Sequence, residues 1–175
     1  HGSTLLLGGG GNRTGKPGGG WKELEEKAQF FYPNANITHR WAAQDCMTLD
    51  GIPYIGQYSA RTPNLYVATG FNKWGMTSSM AAASLLTDLI QEKKNAYEEL
   101  FSPSRSMVHP QLGINLMEST RNLLSLSPKR CPHLGCALKW NPQEHSWDCP
   151  CHGSRFTEDG RLLDNPATGD LRKQE

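Results

Sequence analysis

Apolar residues recur at helical spacing in three segments of the chain. In WKELEEKAQFF (21–31) they fall every three or four positions with acids and lysines between them, and Pro33 follows. This pattern predicts an amphipathic helix that ends before the proline. FNKWGMTSSMAAASLLTDLIQ (71–91) predicts a second helix, capped by Thr77 or Ser78 and extended by NAYEELF (95–101). INLMESTRNLL (114–124) predicts a third, short helix.

Short apolar runs bounded by turn residues predict strands. They are Thr4–Leu7, Asn36–Ala42, Ile52–Ile55 after the Asp50-Gly51 turn, and Leu65–Gly70. The last run enters a glycine-containing turn and then the second helix. A helix that starts in this way offers free backbone N–H groups and a positive end, which suits an anionic or electron-rich ligand, although many such units bind nothing.

Composition and charge exclude several classes of protein. A net charge of +1 and a pI near 7.8 give no reason to expect nucleic acid or an acidic membrane surface as a partner. No apolar run reaches membrane-spanning length, and no cationic segment of a secretory signal precedes the first apolar residues. We therefore expect a cytoplasmic protein whose cysteines serve metal or redox chemistry. The glycine-rich stretch 8–20 contains no G-x-G-x-x-G frame, so it is not a dinucleotide fingerprint.

Four of the five cysteines lie in CPHLGCALKWNPQEHSWDCPCHGSRF (131–156), together with three histidines. Cys131 and His133 form one local pair, and Cys149 and His152 form another. The segment between the pairs predicts a hairpin that brings them together. Two thiolates and two imidazoles can bind one tetrahedral zinc or a two-iron cluster. The mixed order within each pair is unusual for zinc, whereas a two-iron cluster explains it if each loop gives its cysteine to one iron and its histidine to the other.

The motifs CPHLGC and CPCHGS resemble the two cluster-binding loops of Rieske [2Fe–2S] proteins. The resemblance implies that Cys131 and Cys149 hold the inner iron. It assigns His133 and His152 to the exposed iron. Because neutral imidazoles replace two thiolates, this class has potentials of about −150 to +300 mV.

Further positions match this family around the loops. The resemblance implies a disulfide between Cys136 and Cys151, and a hydrogen bond from the Ser154 hydroxyl to a cluster sulfide. Phe156 stands where high-potential members have a tyrosine, so one hydrogen bond to sulfur is missing and a lower potential is expected. In LLDNPATGDL (162–171), Pro166 and Ala167 match the proline-bearing loop that covers the cluster.

An upstream stretch, roughly residues 36–91, resembles the C-terminal part of the D-amino-acid oxidase/glycine oxidase family of FAD-dependent oxidoreductases. The motifs are DGIPYIG and the strand–turn–helix after it, and in the family both close over the flavin. The resemblance implies that the helix beginning at Thr77 points its positive end at the pyrimidine edge of the flavin. Matching positions in the first motif are Asp50, Gly51, Pro53, Ile55 and Gly56. FAD contacts are implied for Gly51, Gly70, Phe71, Asn72, Lys73, Trp74, Gly75, Met76 and Thr77.

The glycine fingerprint of the FAD family's Rossmann half is not found in the chain. We therefore expect the C-terminal portion of a longer flavoprotein–Rieske fusion, with the N-terminal FAD-binding portion as its partner, and no FAD binding by this portion alone. The expected fold is α+β. The predicted domains are the C-terminal portion of the FAD-dependent oxidoreductase (1–100), a helical linker (101–128) and a small, mostly β Rieske-type lobe (129–175).

The resemblances imply an electron-transfer oxidoreductase. A substrate, such as an amine or amino acid, would reduce FAD by two electrons. These would then pass singly through the cluster, and from its histidine edge to an external acceptor in a proton-coupled step. This portion would contain no complete catalytic site.

Two other interpretations compete with electron transfer. One is a non-enzymatic zinc- or disulfide-stabilised module that serves structure or partner binding. The other is a terminal oxygenase, which needs a separate mononuclear iron site of two histidines and a carboxylate. The remaining histidines show no such arrangement. His145 is expected to be exposed in the hairpin, His39 and His109 to be ordinary, and Cys46 to be buried or half-buried.

Overall fold

The computed structural model describes residues 4–18 and 20–172. It confirms the α+β class, with a small β-sheet region at the C-terminal end. The described residues form two compact units. One contains residues up to Ala42 together with those from Asn115 onward, and the other is Ala43–Ile114. None of the helices in the described ranges is long and apolar enough to cross a bilayer. The domain limits expected from the sequence stay predictions.

The unit Ala43–Ile114 is built on one hairpin and one long helix. Strands β1 (Tyr54–Gln57) and β2 (Tyr66–Thr69) pair antiparallel, and α2 (Gly75–Ile90) packs on β1. The short helix α3 (Glu98–Phe101) also contacts β1. Its buried core is small, and it consists of Ile55, Ala82 and Leu85 with Phe71, Leu86, Leu89 and Phe101 packed around them.

The other unit contains two amphipathic helical segments and a four-stranded antiparallel sheet. Helix α1 (Trp21–Phe31) matches the prediction, and α4 (Pro110–Leu124) reaches the unit with its C-terminal part. The strands lie in chain order, as β3 (Lys139–Asn141), β4 (Ser146–Asp148), β5 (Arg155–Thr157) and β6 (Leu162–Asp164). The predicted hairpin between the two cysteine–histidine pairs is β3–β4. The buried core residues are Cys131, Cys136, Leu138, Cys149, Phe156 and Ala167.

Several local predictions are wrong. Thr4–Leu7 and Asn36–Ala42 form no strands, and all residues of both runs are exposed. A strand needs another strand to pair with, and neither run pairs with a strand among the described residues. The segment 31–47 is exposed throughout, so Cys46 is exposed too, contrary to the prediction.

The second helix also differs from the prediction at both ends. It begins at Gly75, with Trp74 as the N-cap residue, rather than after Thr77 or Ser78. Thr77 lies inside the first turn, where its hydroxyl donates to the Trp74 carbonyl at 3.1 Å. At the other end α2 stops at Ile90, and α3 is a separate helix rather than its extension.

Candidate functional site

Two loops with the same hydrogen-bonding pattern flank the β3–β4 hairpin. The first loop is residues 131–136 and the second is residues 149–154. In the first, the Gly135 N–H donates to the Cys131 carbonyl at 2.8 Å, and the Cys131 N–H donates to the Cys136 carbonyl at 2.9 Å. In the second, the Gly153 and Cys149 amides close residues 149–154 in a similar way, at 3.0 and 2.8 Å. In each loop these hydrogen bonds fix the backbone at the first cysteine. We call this hydrogen-bonded base the neck of the loop.

In each loop the first cysteine is buried and the histidine is exposed. Cys131 and Cys149 are free thiols that are 2% and 1% exposed. The His133 and His152 rings are exposed, and their centroids lie 5.0 Å apart in an edge-to-face arrangement. Two inner thiols and two outer imidazoles form the donor set that a Rieske-type cluster requires. These four residues therefore fit the group that the sequence predicts.

In the absence of a metal, the pKa shifts in the second loop favour the neutral forms of its cysteine and histidine. Burial raises the pKa of the Cys149 thiol, and the neighbouring Cys131 adds to the effect. Burial, followed by the nearby His133, lowers the pKa of His152. A neutral imidazole is the form that ligates, whereas the thiols must lose protons as metal binds.

A disulfide between Cys136 and Cys151 joins the two loops, and the bridged residues are 15 positions apart. The Cys149 sulfur lies within 4.8 Å of both bridged sulfurs. The bridge therefore stands directly beside a predicted iron ligand. It keeps the two loops together independently of any metal.

The segment around Ala167 packs against the second loop. The Ser154 hydroxyl accepts a hydrogen bond from the Ala167 N–H at 2.9 Å, and both residues are buried. The preceding Pro166 is exposed. Phe156 is 0% exposed and belongs to the same core as the loop cysteines. The serine is therefore held in place by the segment around Ala167, while its bond to a sulfide stays a prediction.

Arg130 positions the first loop, and sequence reasoning missed it. Its guanidinium donates to the carbonyls of Leu123, Ser125 and Gly135 at 2.7–2.9 Å. The first two carbonyls lie at and just beyond the end of α4, and the third lies inside the loop. A basic residue directly before the CPHLGC motif was the only available signal, because its acceptors are backbone groups that no side-chain pattern reveals.

The glycine-rich segment also contacts the second loop. Gly15 has φ +74°, and a Cβ atom on it would lie 2.6 Å from the Pro150 Cβ. Arg13 and Lys16, on either side, both form ion pairs with Glu118 of α4. The segment is thus anchored on the helix and lies directly against the proline between Cys149 and Cys151.

In the unit Ala43–Ile114, Asn72 links the two motifs that resemble flavin-binding segments. Its side-chain oxygen accepts the Thr48 N–H at 3.0 Å, and its amide nitrogen donates to the Gly51 carbonyl at 2.9 Å. Gly70 has φ +68° and is buried, and a Cβ there would collide with the Thr48 methyl group. The structure thus brings the DG turn and the strand–turn–helix together.

The other predicted flavin contacts lie in different environments. Lys73 pairs with Asp45 at 3.1 Å, and Phe71 packs on the core of its own unit. Trp74 and Met76 are 70% and 86% exposed, and no side chain caps the N-terminus of α2. The free N–H groups of a helix start beside exposed apolar side chains suit a flat, partly anionic ligand such as a flavin ring.

Arg105 holds the DG turn, and nothing in the sequence indicated it. It donates to both carboxylate oxygens of Asp50, at 2.8 and 2.9 Å, and to the Pro53 carbonyl at 3.0 Å. Its guanidinium also lies over the Tyr54 ring, 3.8 Å from the centroid. The bond from Arg105 holds the pKa of the Asp50 carboxyl well below its usual value.

Comparison with known protein families gives two matches along the chain. The family described as FAD dependent oxidoreductase matches residues 1–89, and the Rieske [2Fe-2S] domain matches residues 113–175. No solved structure gives a significant match.

Curated relatives agree with these matches. A Rieske 2Fe-2S iron-sulfur protein of Bacillus subtilis, YhfW, is 35% identical over 195 aligned residues, which cover 87% of this chain and 38% of the relative. The cytochrome b6-f complex iron-sulfur subunit 3 of a Nostoc species is 51% identical over 37 residues, which are 21% of each chain. The chain thus spans well under half the length of either relative.

Proposed function

We propose that this chain, which belongs to the FAD-dependent oxidoreductase family and carries a Rieske [2Fe–2S] domain, conducts electrons from a flavin to an external acceptor. The overall reaction removes two electrons and two protons from a substrate, such as an amine or amino acid. It delivers the electrons singly to two equivalents of a one-electron acceptor and releases the protons. The N-terminal FAD-binding portion of the longer protein is the proposed partner of this part.

The observation that carries the proposal is the pairing of two buried free thiols with two exposed imidazoles. Cys131 and Cys149 would hold the inner iron, and His133 and His152 the outer one. A [2Fe–2S] cluster bound in this way supplies a one-electron redox centre with a potential above that of all-cysteine clusters.

The surrounding residues define what this site can do. The disulfide and the hydrogen-bonded necks fix both loops, so little rearrangement accompanies a change of charge. Because the two imidazoles are the exposed ligands, an acceptor approaches from their side. A proton can leave or join an imidazole nitrogen there without crossing the protein interior.

For the flavin half, we propose that the start of α2 faces the isoalloxazine ring. Its free N–H groups favour negative charge. Trp74 and Met76 would exclude water from the ring. Asn72 and Arg105 serve this site by holding the DG turn in position.

Iron and spectroscopy test the proposed cluster. Chain purified without oxygen should contain two irons and two acid-labile sulfides, and should give a Rieske-type EPR signal after reduction. His133→Ala or His152→Ala should abolish that signal. His145→Ala is the matched control, because His145 is an exposed histidine of the same lobe at the tip of the β3–β4 hairpin.

Metal content also decides between the proposal and a zinc or disulfide module. Stoichiometric zinc without iron would overturn the proposal, as would a visible spectrum that neither histidine variant alters. The match to the Rieske [2Fe-2S] family favours iron. The cytoplasmic location stays a prediction.

A further inference from the structure

A buried ion pair joins the two ends of the second loop. Strand β4 ends at Asp148 and β5 begins at Arg155, and these two residues are Cα partners in the sheet. Between them lies the loop 149–154, which contains two predicted iron ligands, one half of the disulfide and Ser154. Any change in the distance between Asp148 and Arg155 therefore changes the width of the loop at its base.

Both side chains of the pair are buried, and both form further hydrogen bonds. The Arg155 Nε lies 3.2 Å from the Asp148 Oδ1, and both side chains are less than one-tenth exposed. The Ser146 hydroxyl donates to the same carboxylate oxygen at 2.8 Å and accepts from the Arg155 Nη2 at 3.2 Å. Asn141 donates to the other carboxylate oxygen at 2.9 Å. Removal of the arginine charge would leave the Asp148 carboxylate buried without its cation. Arg155 itself also lies 3.6 Å from Glu144 and 4.0 Å from Asp164.

The backbone couples this pair to the ligand side of the loop. Ser154 is the last loop residue and directly precedes Arg155, where β5 begins. The Ser154 carbonyl accepts the Cys149 N–H at 2.8 Å, which is the bond that closes the neck of the loop. A shift of Arg155 would therefore move the backbone that sets the position of Cys149.

We propose that Arg155 is a positioning residue for the second loop, and that its ion pair with Asp148 sets the geometry in which Cys149 and His152 meet a metal. This inference rests on the proposed function, because it concerns the same cluster. It adds a residue that lies outside both cysteine–histidine motifs. Among the described residues, the polar partners of Asp148 and Arg155 include no predicted ligand, so the ion pair acts through the loop backbone.

Substitution of the arginine tests the proposal in the full chain. Arg155→Gln should shift the g-values and the midpoint potential of the cluster. It should also speed hydrogen exchange of the Cys149 and Gly153 amides by roughly tenfold or more. Arg155→Lys, which keeps the charge, should restore part of each property. Arg161→Gln is the matched control, because it breaks an exposed ion pair with Asp159 in the neighbouring β5–β6 turn.

The outcomes separate this inference from the proposed function. If Arg155→Gln gives the same g-values, potential and loop exchange as Arg161→Gln, Arg155 has no positioning role. If Arg155→Gln does not fold, the isosteric Asp148→Asn takes its place with the same expected shifts. If the unsubstituted chain takes up no iron, the proposed function fails, while the amide-exchange comparison still tests the inference.

Discussion

A hydroxyl added to Phe156 should raise the potential of the cluster. The ring is 0% exposed and shares its core with Cys131, Cys136 and Cys149. Phe156→Tyr adds a donor to the core that contains these cysteines. A hydrogen bond to sulfur stabilises the reduced form, which carries one more negative charge.

The size of the effect follows from the burial of the ring. A hydrogen bond to a charged group contributes more than one to a neutral group. A difference of about 1 to 1.5 kcal/mol between the two redox states corresponds to a rise of about 45 to 65 mV for one electron. The new oxygen cannot reach water. Without an acceptor it would therefore cost about 1 to 3 kcal/mol of folding stability.

Two measurements on the same protein distinguish a hydroxyl that bonds to sulfur from one that has no partner. An EPR-monitored redox titration gives the midpoint potential, and chemical unfolding of the metal-free chain gives the stability. Phe101→Tyr is the control, since it adds the same hydroxyl to the core of the other unit and should leave the potential unchanged. A Phe156→Tyr protein with an unshifted potential and a loss of stability would refute the reasoning, because the hydroxyl would then have no sulfur partner.

Two further substitutions test the disulfide in one unit and the ion pair between Asp50 and Arg105 in the other. Replacing both Cys136 and Cys151 by alanine should cost about 3 kcal/mol of stability, the loop entropy for a closure of this length, and amide exchange in β3–β6 would measure it. An unchanged exchange rate would contradict a stabilising role for the bridge. Asp50→Asn should lower the stability of its unit by about 2 kcal/mol at pH 7. Since the folded pKa of Asp50 is depressed, this advantage is complete above the unfolded value near pH 4 and shrinks as the pH falls further, so a difference independent of pH would contradict the pairing with Arg105.

The sequence locates the two cysteine–histidine loops and the hairpin between them because these features are local. Each loop contains its cysteine and histidine within four residues, and the β3–β4 hairpin between them has strong strand and turn residues. The amphipathic pattern likewise locates α1 correctly, since its residues follow one period without a break.

Features that depend on distant residues were not predictable in this way. Arg105 is 55 positions from Asp50, and no local pattern relates them. The runs Thr4–Leu7 and Asn36–Ala42 have strand-like composition, but strand formation depends on a neighbour that composition does not reveal. Asp148 and Arg155 are separated by the loop 149–154, and only the sheet register places them opposite each other.

Gly15, in the glycine-rich segment, is required by close packing as well as by its positive φ. The Gly15 backbone lies directly against Pro150, and the ion pairs of Arg13 and Lys16 with Glu118 of α4 hold the segment there. A methyl group at Gly15 would collide with Pro150, which lies between the free thiol of Cys149 and the disulfide-bonded Cys151. The missing side chain at this one position is therefore what allows the segment to lie against the second loop.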